Sequence, residues 1–228
     1  MLHLCKRLQA VLELTPRGEP VADFGCDHGR LACALLQRGA PWVTAVDISE
    51  PSLEKARRLA DTLALSGRII ARQGDGLEGL EPGIGAVVIA GLSAHTIRDI
   101  LCRNLDMARR VGCLILQPMQ DMEGLRRSLM ELGFSIDAED MVYENRRYYP
   151  MLRAVPGWAR YTEDELDFGP RLLADRHPLL PPYLLWRMRV IQRAGHDLCG
   201  QRRMQMDKQI VRLEGIRQNQ LQIRPFCG

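Results

Sequence analysis

Two aspartates stand four positions apart in the segment Asp23-Phe24-Gly25-Cys26-Asp27-His28-Gly29, directly after a short apolar run, Val21 to Phe24. Glycines at such a strand-to-helix turn let backbone and ligand approach closely. A dinucleotide would require G-x-G-x-x-G and a helix N-terminus aimed at pyrophosphate. Here two carboxylates would flank that anion and repel it at close range. They suit a ligand that carries positive charge, and S-adenosylmethionine carries an ammonium and a sulfonium. D-x-G-x-D-x-G in this place therefore favours that cofactor over NAD, although an aspartate in a turn can also simply cap the helix behind it.

Further acids follow at later strand ends. Trp42 to Val46 is a second apolar run ending at Asp47, 24 residues after Asp23, near the spacing at which a carboxylate meets ribose hydroxyls in related sheets. A third run, Ile69 to Arg72, leads into Gly74-Asp75-Gly76, where Asp75 can accept from an adenine amino group. Any one of these acids reads equally well as a cap; three in register after successive strands do not. A fourth run, Ala86 to Ala90, ends at Gly91-Leu92-Ser93-Ala94, where Gly91 allows close approach and Ser93 can cap a helix. A fifth, Cys113 to Leu116, ends at Gln117-Pro118; Gln117 can meet a base edge or satisfy a buried backbone end.

Helical patterns separate these runs. Leu31 to Leu36 is stopped by Gly39 and Pro41, and Ser49 with Pro51 opens the stripe Leu53, Ala56, Leu59, Ala60, Leu63,. Before the first strand, Leu4, Leu8, Val11, Leu12 and Leu14 share a helical face. Strands alternating with helices specify right-handed βαβ units, hence a doubly wound, mostly parallel α/β sheet. After residue 156 the chain becomes turn-rich and then helical. Leu184, Met188 and Ile191, and later Ile210, Leu213 and Ile216, form two stripes with Gly195 and Gly200 between them. That predicts an antiparallel, coiled-coil-like helix pair, and a division into residues 1–156 and 157–228.

Of the 228 residues 46% are hydrophobic and 26% charged, as in a soluble globular protein. No apolar run is long enough to span a membrane, and a charged, periodic N-terminus is unlike a secretory leader. Seven cysteines without C-x-x-C spacing and five histidines without ligand spacing argue for reduced cytoplasmic thiols and no metal. The formal charge of +3 hides an asymmetry, because residues 183–228 carry +6 and residues 1–182 carry −3. A basic tail on a slightly acidic body suits a polyanionic partner, with Arg187, Arg189, Arg193, Arg202, Arg203 and Arg212 as candidate phosphate contacts. An appendage packed on the sheet is the plainer reading of the same helices.

The stretches VADFGCDHGRLA, AVDIS, RQGDGLEGLEPG, VVIAG, LILQP and YTEDELDFGPRLLADRHPLLPPYL resemble the bacterial tRNA (adenine-22 N1)-methyltransferase family over almost the whole chain. The resemblance implies a Rossmann-like class I methyltransferase domain joined to a C-terminal helical domain. It further implies S-adenosylmethionine as donor, tRNA as substrate, and N1 of an adenine in the D-arm region as acceptor. Cofactor contacts carried over by position fall on Asp23, Gly25, Asp27, His28, Asp47, Gly74, Asp75 and Gly91. Asp27 is the candidate for stabilising charge on the methylated ring. His28 leads the candidates for stacking on a flipped base, ahead of His95, Tyr143 and Tyr148. The chain departs from the family pattern at Leu92-Ser93-Ala94, where the family has Met-Gly-Gly, at Met119, where it has Asn, and at Tyr148-Tyr149-Pro150. Proline there restricts the last strand to an edge or a bulge. These departures keep open a second reading, a tRNA-binding protein that has lost turnover. The expected oligomeric state is a monomer.

Overall fold

A computed structural model describes residues 2–195 and 199–222. The first compact unit runs from residue 1 to Pro170. It contains α1 (Lys6–Leu14), β1 (Val21–Phe24), α2 (Arg30–Gln37), β2 (Val43–Asp47), α3 (Glu50–Thr62), β3 (Ile69–Gln73), β4 (Ala86–Ala90), α4 (Ala94–Arg103), α5 (Leu105–Arg110), β5 (Cys113–Gln117), α6 (Met122–Glu131), β6 (Phe134–Glu144), β7 (Arg147–Pro156) and α7 (Glu163–Phe168). The strands form one seven-stranded sheet in the order β3-β2-β1-β4-β5-β7-β6. β1 to β5 are mutually parallel, and β7 runs antiparallel to both of its neighbours.

Alternate residues of the central strands serve two cores. Phe24, Val46, Ile89 and Leu116 pack on one face with Ile97 and Leu101 of α4 and Leu125 and Leu129 of α6. Val43, Val88 and Ile115 pack on the other with Val11, Leu35 and Leu53 from α1, α2 and α3. Strands covered on both faces are apolar at nearly every position, which is why they read in the sequence as near-continuous runs, with Asp23 and Thr44 as buried polar exceptions. The strand order reverses between β1 and β4, and the crevice at their carboxyl ends is the place where such sheets bind ligands.

Pro150 pairs with Met141 of β6, in a part of β7 that has run past its pairing with β5, which covers only Leu114–Leu116 against Ala154–Leu152. The missing N–H therefore faces no neighbouring strand, the edge position that the sequence requires. A register shift in this hairpin lies instead at Ile136/Ala138.

The second compact unit, residues 171–228, contains α9 (Leu180–Ala194) and α10 (Gly200–Leu221), preceded by the short α8 (Pro170–Ala174). Leu180, Leu184 and Met188 are buried on α9, and Met206, Leu213 and Ile216 on α10. The Arg176 guanidinium donates to the Gln222 carbonyl, and Gln220 Nε2 to the Leu173 carbonyl at 3.3 Å. Those bonds bring the end of α10 beside the start of α9, so the two helices are antiparallel. Arg189, Arg193 and Arg202 are exposed, Arg187 and Arg212 are half-buried, and Arg203 pairs with Asp207 at 3.3 Å. No helix among the described residues is long and apolar enough to cross a membrane. Cys5, Cys26, Cys33, Cys102, Cys113 and Cys199 are free thiols; Cys227 lies outside the described residues.

Candidate active site

The turn after β1 is sewn to the end of β2. Gly25 N–H and Cys26 N–H donate to the Val46 carbonyl at 2.9 and 3.2 Å, and Asp27 N–H donates to Asp47 Oδ2 at 3.0 Å. Asp47 Oδ1 accepts from Ser49 N–H at 2.9 Å, while the Ser49 hydroxyl accepts from Ser52 N–H and so caps α3. The Asp47 carbonyl in turn takes the Gly74 N–H at 3.1 Å. One residue, Asp47, thus holds three strand-end loops in a single arrangement, two through its carboxylate and the third through its backbone carbonyl. Gly29 closes the turn with φ +66°, and a Cβ on it would stand 2.8 Å from the Ala56 Cα. Helices α2 and α3 can approach this closely only over a glycine.

A cleft of about 260 Å³ opens there, bounded among others by Arg7, Asp23, Gly25, Asp27, His28 and Gly91. Asp23 is 3% exposed, and its Oδ2 has no hydrogen-bond partner among the described residues. Burial pushes its carboxyl up to about 7; a backbone hydrogen bond from Ala32 opposes the rise, and the nearby charge of Asp47 adds to it. A buried acceptor without a donor is costly, and a cationic ligand would relieve it. Asp27 and His28 are exposed and face each other, with Oδ2 and Nδ1 2.5 Å apart. The Cys26 thiol is pushed far up by burial and by the three aspartates around it, so it is no nucleophile.

Of the residues that the sequence marks for the cofactor, Asp23, Gly25, Asp27, His28 and Gly91 line this cleft. Asp47 and Gly74 sit behind the loop as its supports. Asp75 points elsewhere: its carboxylate receives Arg103 Nη1 at 2.9 Å, and that guanidinium holds it below the usual carboxylate range. Gln117 is fully buried. Its Oε1 accepts from Arg7 Nη1 at 2.6 Å and its Nε2 donates to the Pro118 carbonyl at 2.6 Å, so it orients Arg7 and meets no base edge. His95 pairs with Asp99 at 3.2 Å on α4. Arg7 is the residue that sequence reading missed. It lies 5.9 Å from the Tyr149 ring centroid, and a Cβ on Gly91 would stand 3.4 Å from its Nη1. Nothing in the sequence set it apart from Lys6 beside it, which is exposed on the same helix.

Residues 4–152 match the model of a methyltransferase domain. A Bacillus subtilis tRNA (adenine(22)-N(1))-methyltransferase is 35% identical over 158 residues, which cover 68% of this chain and 66% of that relative. A putative tRNA methyltransferase of Mycoplasma pneumoniae is 31% identical over 78% of this chain and 86% of its own length. The chain belongs to the bacterial tRNA (adenine-22 N1)-methyltransferase family. A Streptococcus pneumoniae structure, a putative tRNA (m1A22) methyltransferase in complex with S-adenosyl-L-methionine, superposes with a TM-score of 0.85 at 25% identity, covering 94% of this chain and 99% of that one.

The cofactor of this family, S-adenosylmethionine, fits the residues present. The orphaned carboxylate oxygen of Asp23 asks for a cation, the glycine turn gives backbone access, and Arg7 offers a charge for a carboxylate. The three departures from the family pattern do not disturb this frame. Gly91 N–H bonds to the Gln117 carbonyl and Met119 N–H to the Leu92 carbonyl, both at 2.9 Å, so the loops after β4 and β5 are zipped together. Ser93 caps α4 by accepting from Thr96 N–H at 3.0 Å, and Ala94 is the buried first residue of that helix. Among the described residues no group of three His, Cys, Asp or Glu could hold a metal ion.

Proposed function

We propose that this chain methylates N1 of an adenine in tRNA, at position 22 in the D-arm region, acting as a cytoplasmic monomer. The observation that carries the reading is the buried Asp23 carboxylate, whose Oδ2 has no hydrogen-bond partner among the described residues, at a glycine-lined cleft, in a chain 35% identical to a Bacillus subtilis tRNA (adenine(22)-N(1))-methyltransferase. The bound cofactor supplies an electrophilic methyl group on a sulfonium. Adenine N1 has a lone pair when neutral, so this chain needs no base to deprotonate it, and catalysis rests on positioning. Asp23 would hold the ammonium of the donor and Arg7 its carboxylate, Asp47 fixes the loop that would face the ribose, and Gly91 would leave room for the transferred methyl group. Positive charge appears on the adenine ring as the methyl arrives. Asp27, exposed at the mouth of the cleft, stabilises that charge, and His28 beside it stacks on the base. N1 lies on the pairing edge, so the base must leave its stack first. Asp75 serves adenine only after exchanging Arg103.

The test is incubation with labelled S-adenosylmethionine and unmodified tRNA, followed by mass mapping of the nucleosides. One N1-methyladenosine at position 22 is expected. Cofactor and tRNA binding without incorporated label would leave a binding protein in place of an enzyme. The helical unit makes a separate contribution, a basic surface for tRNA phosphates. Replacing Arg189, Arg193 and Arg202 together by Ala is expected to lower the log–log salt slope of tRNA binding by about 2 to 3, measured by titration at several salt concentrations. An unchanged slope would make these helices a structural appendage.

A further inference from the structure

The β6–β7 hairpin closes in a two-residue turn, Asn145-Arg146, with φ of 48° and 61°. Turns of this kind need positive φ at both centres and are usually Asn-Gly. Asparagine tolerates that conformation, whereas arginine is strained in it. Glycine would close the turn without strain, yet the chain keeps a guanidinium at its tip. Arg146 and its neighbour Arg147 are exposed, and among the described residues their side chains make no hydrogen bond or ion pair.

The position of the turn gives those charges a use. β7 extends from Leu152, its last residue paired with β5, to Arg147. At about 3.4 Å per residue this is an arm of roughly 17 Å beyond the carboxyl ends of the parallel strands, the side on which the cleft opens. The arm is tied to the rim of the cleft. Lys6 N–H donates to Glu144 Oε1 at 2.9 Å, Glu144 being the cross-strand partner of Arg147, and Tyr149 lies under the cleft-lining Arg7. On the opposite face Tyr143 and Tyr148 are cross-strand partners with ring centroids 4.6 Å apart, and Tyr143 remains 44% exposed.

We infer that this hairpin is a second RNA-binding element, on the sheet domain: Arg146 and Arg147 take backbone phosphates next to the target nucleotide, and Tyr143 stacks on a neighbouring unpaired base. The inference rests on the tRNA reading above. Charge complementarity and the exposed ring are the two features that single-stranded nucleic acid exploits together, and the arm joins both to the edge of the donor cleft.

Three variants of the full chain test it, with an unmodified tRNA transcript as probe and titrations at several salt concentrations. Arg146→Gly relieves the turn, so its melting temperature is expected to equal or exceed that of the wild type. Its tRNA affinity is expected to fall about 3- to 10-fold, with the log–log salt slope lower by roughly one unit. Adding Arg147→Ala is expected to lower the slope by roughly one more. Tyr143→Ala is expected to cost about 5- to 100-fold in tRNA affinity at an unchanged slope. S-adenosylmethionine affinity is expected to stay at the wild-type value in all three. Wild-type tRNA affinity and slope in the Arg146→Gly/Arg147→Ala variant would overturn the inference while leaving the proposed function intact. Failure of the wild-type chain to bind tRNA would overturn that function itself.

Discussion

Asparagine in place of Asp23 is expected to weaken S-adenosylmethionine binding about 30- to 1,000-fold, the result of losing one partner of a buried charge pair worth about 2–4 kcal/mol. The same substitution is expected to raise the melting temperature of the cofactor-free protein by several degrees above neutral pH. Both effects have one cause. In the unfolded chain Asp23 releases its proton near 3.8, whereas burial in the folded protein holds the proton until about pH 7. A carboxyl raised in this way contributes stability that is fully present below 3.8 and is lost as the pH rises through 7. The shift corresponds to about 4 kcal/mol. The ionised carboxylate therefore strains the empty protein at physiological pH, and a bound cation removes that strain. Cofactor affinity is accordingly expected to rise about tenfold per pH unit from about pH 5.5 up to about 7 and then level off, with a proton released on binding at the acid end. The asparagine variant is expected to lose this slope. Calorimetric titrations across that range, beside thermal melts of both proteins without cofactor, measure all of this. A flat wild-type profile, or wild-type affinity in the variant, would remove Asp23 from the binding site.

The parts of this arrangement that were legible in the sequence are those fixed by short-range rules. β1 and β4 appear at Val21–Phe24 and Ala86–Ala90 because a strand covered on both faces is mostly apolar, with Asp23 the one polar residue of the two. Ser49 and Ser93 cap the helices behind them as their type and position require. What stayed hidden depends on pairs far apart in the chain. Arg7 enters the cleft because Gln117, fixed at the end of β5, turns its guanidinium there. Neither residue announces the other across that separation. Asp75 carries the same lesson in reverse: its place after β3 marks it in the sequence as an adenine acceptor, and in the fold its carboxylate pairs with Arg103 of α4. The change in composition at Gly157 likewise falls short of the end of the first compact unit at Pro170, since the intervening segment is held by a side chain from α6.

That side chain, Arg126, makes the other large effect. It is 1% exposed, its Nε donates to Glu139 Oε1 of β6 at 2.8 Å, and its Nη1 donates to the carbonyls of Leu166 and Asp167 at 3.0 and 3.3 Å. Those carbonyls belong to the last turn of α7, which starts in a capping box of Thr162 and Glu165 and ends at Gly169, φ +101°. A Cβ on Gly169 would fall 2.5 Å from Glu139 Oε2, so the E-L-D-F-G run is shaped by the buried ion pair that it covers. Arg126→Ala takes the guanidinium away from a Glu139 carboxylate whose side chain is 0% exposed, and strips two carbonyls of their donor. The expected cost is about 3–5 kcal/mol, a fall in melting temperature of roughly 6–20 °C, with early proteolytic cleavage between α7 and β7. The double replacement Arg126→Met/Glu139→Leu removes both charges and is expected to recover most of the loss, because well-packed apolar groups often match a buried pair. Thermal melts of the single and double variants separate the two contributions. Recovery in the double variant identifies the buried Glu139 carboxylate, deprived of its guanidinium, as the source of the damage, whereas an equal loss in both would assign it to the carbonyls of α7, and with them to the anchoring of the E-L-D-F-G turn.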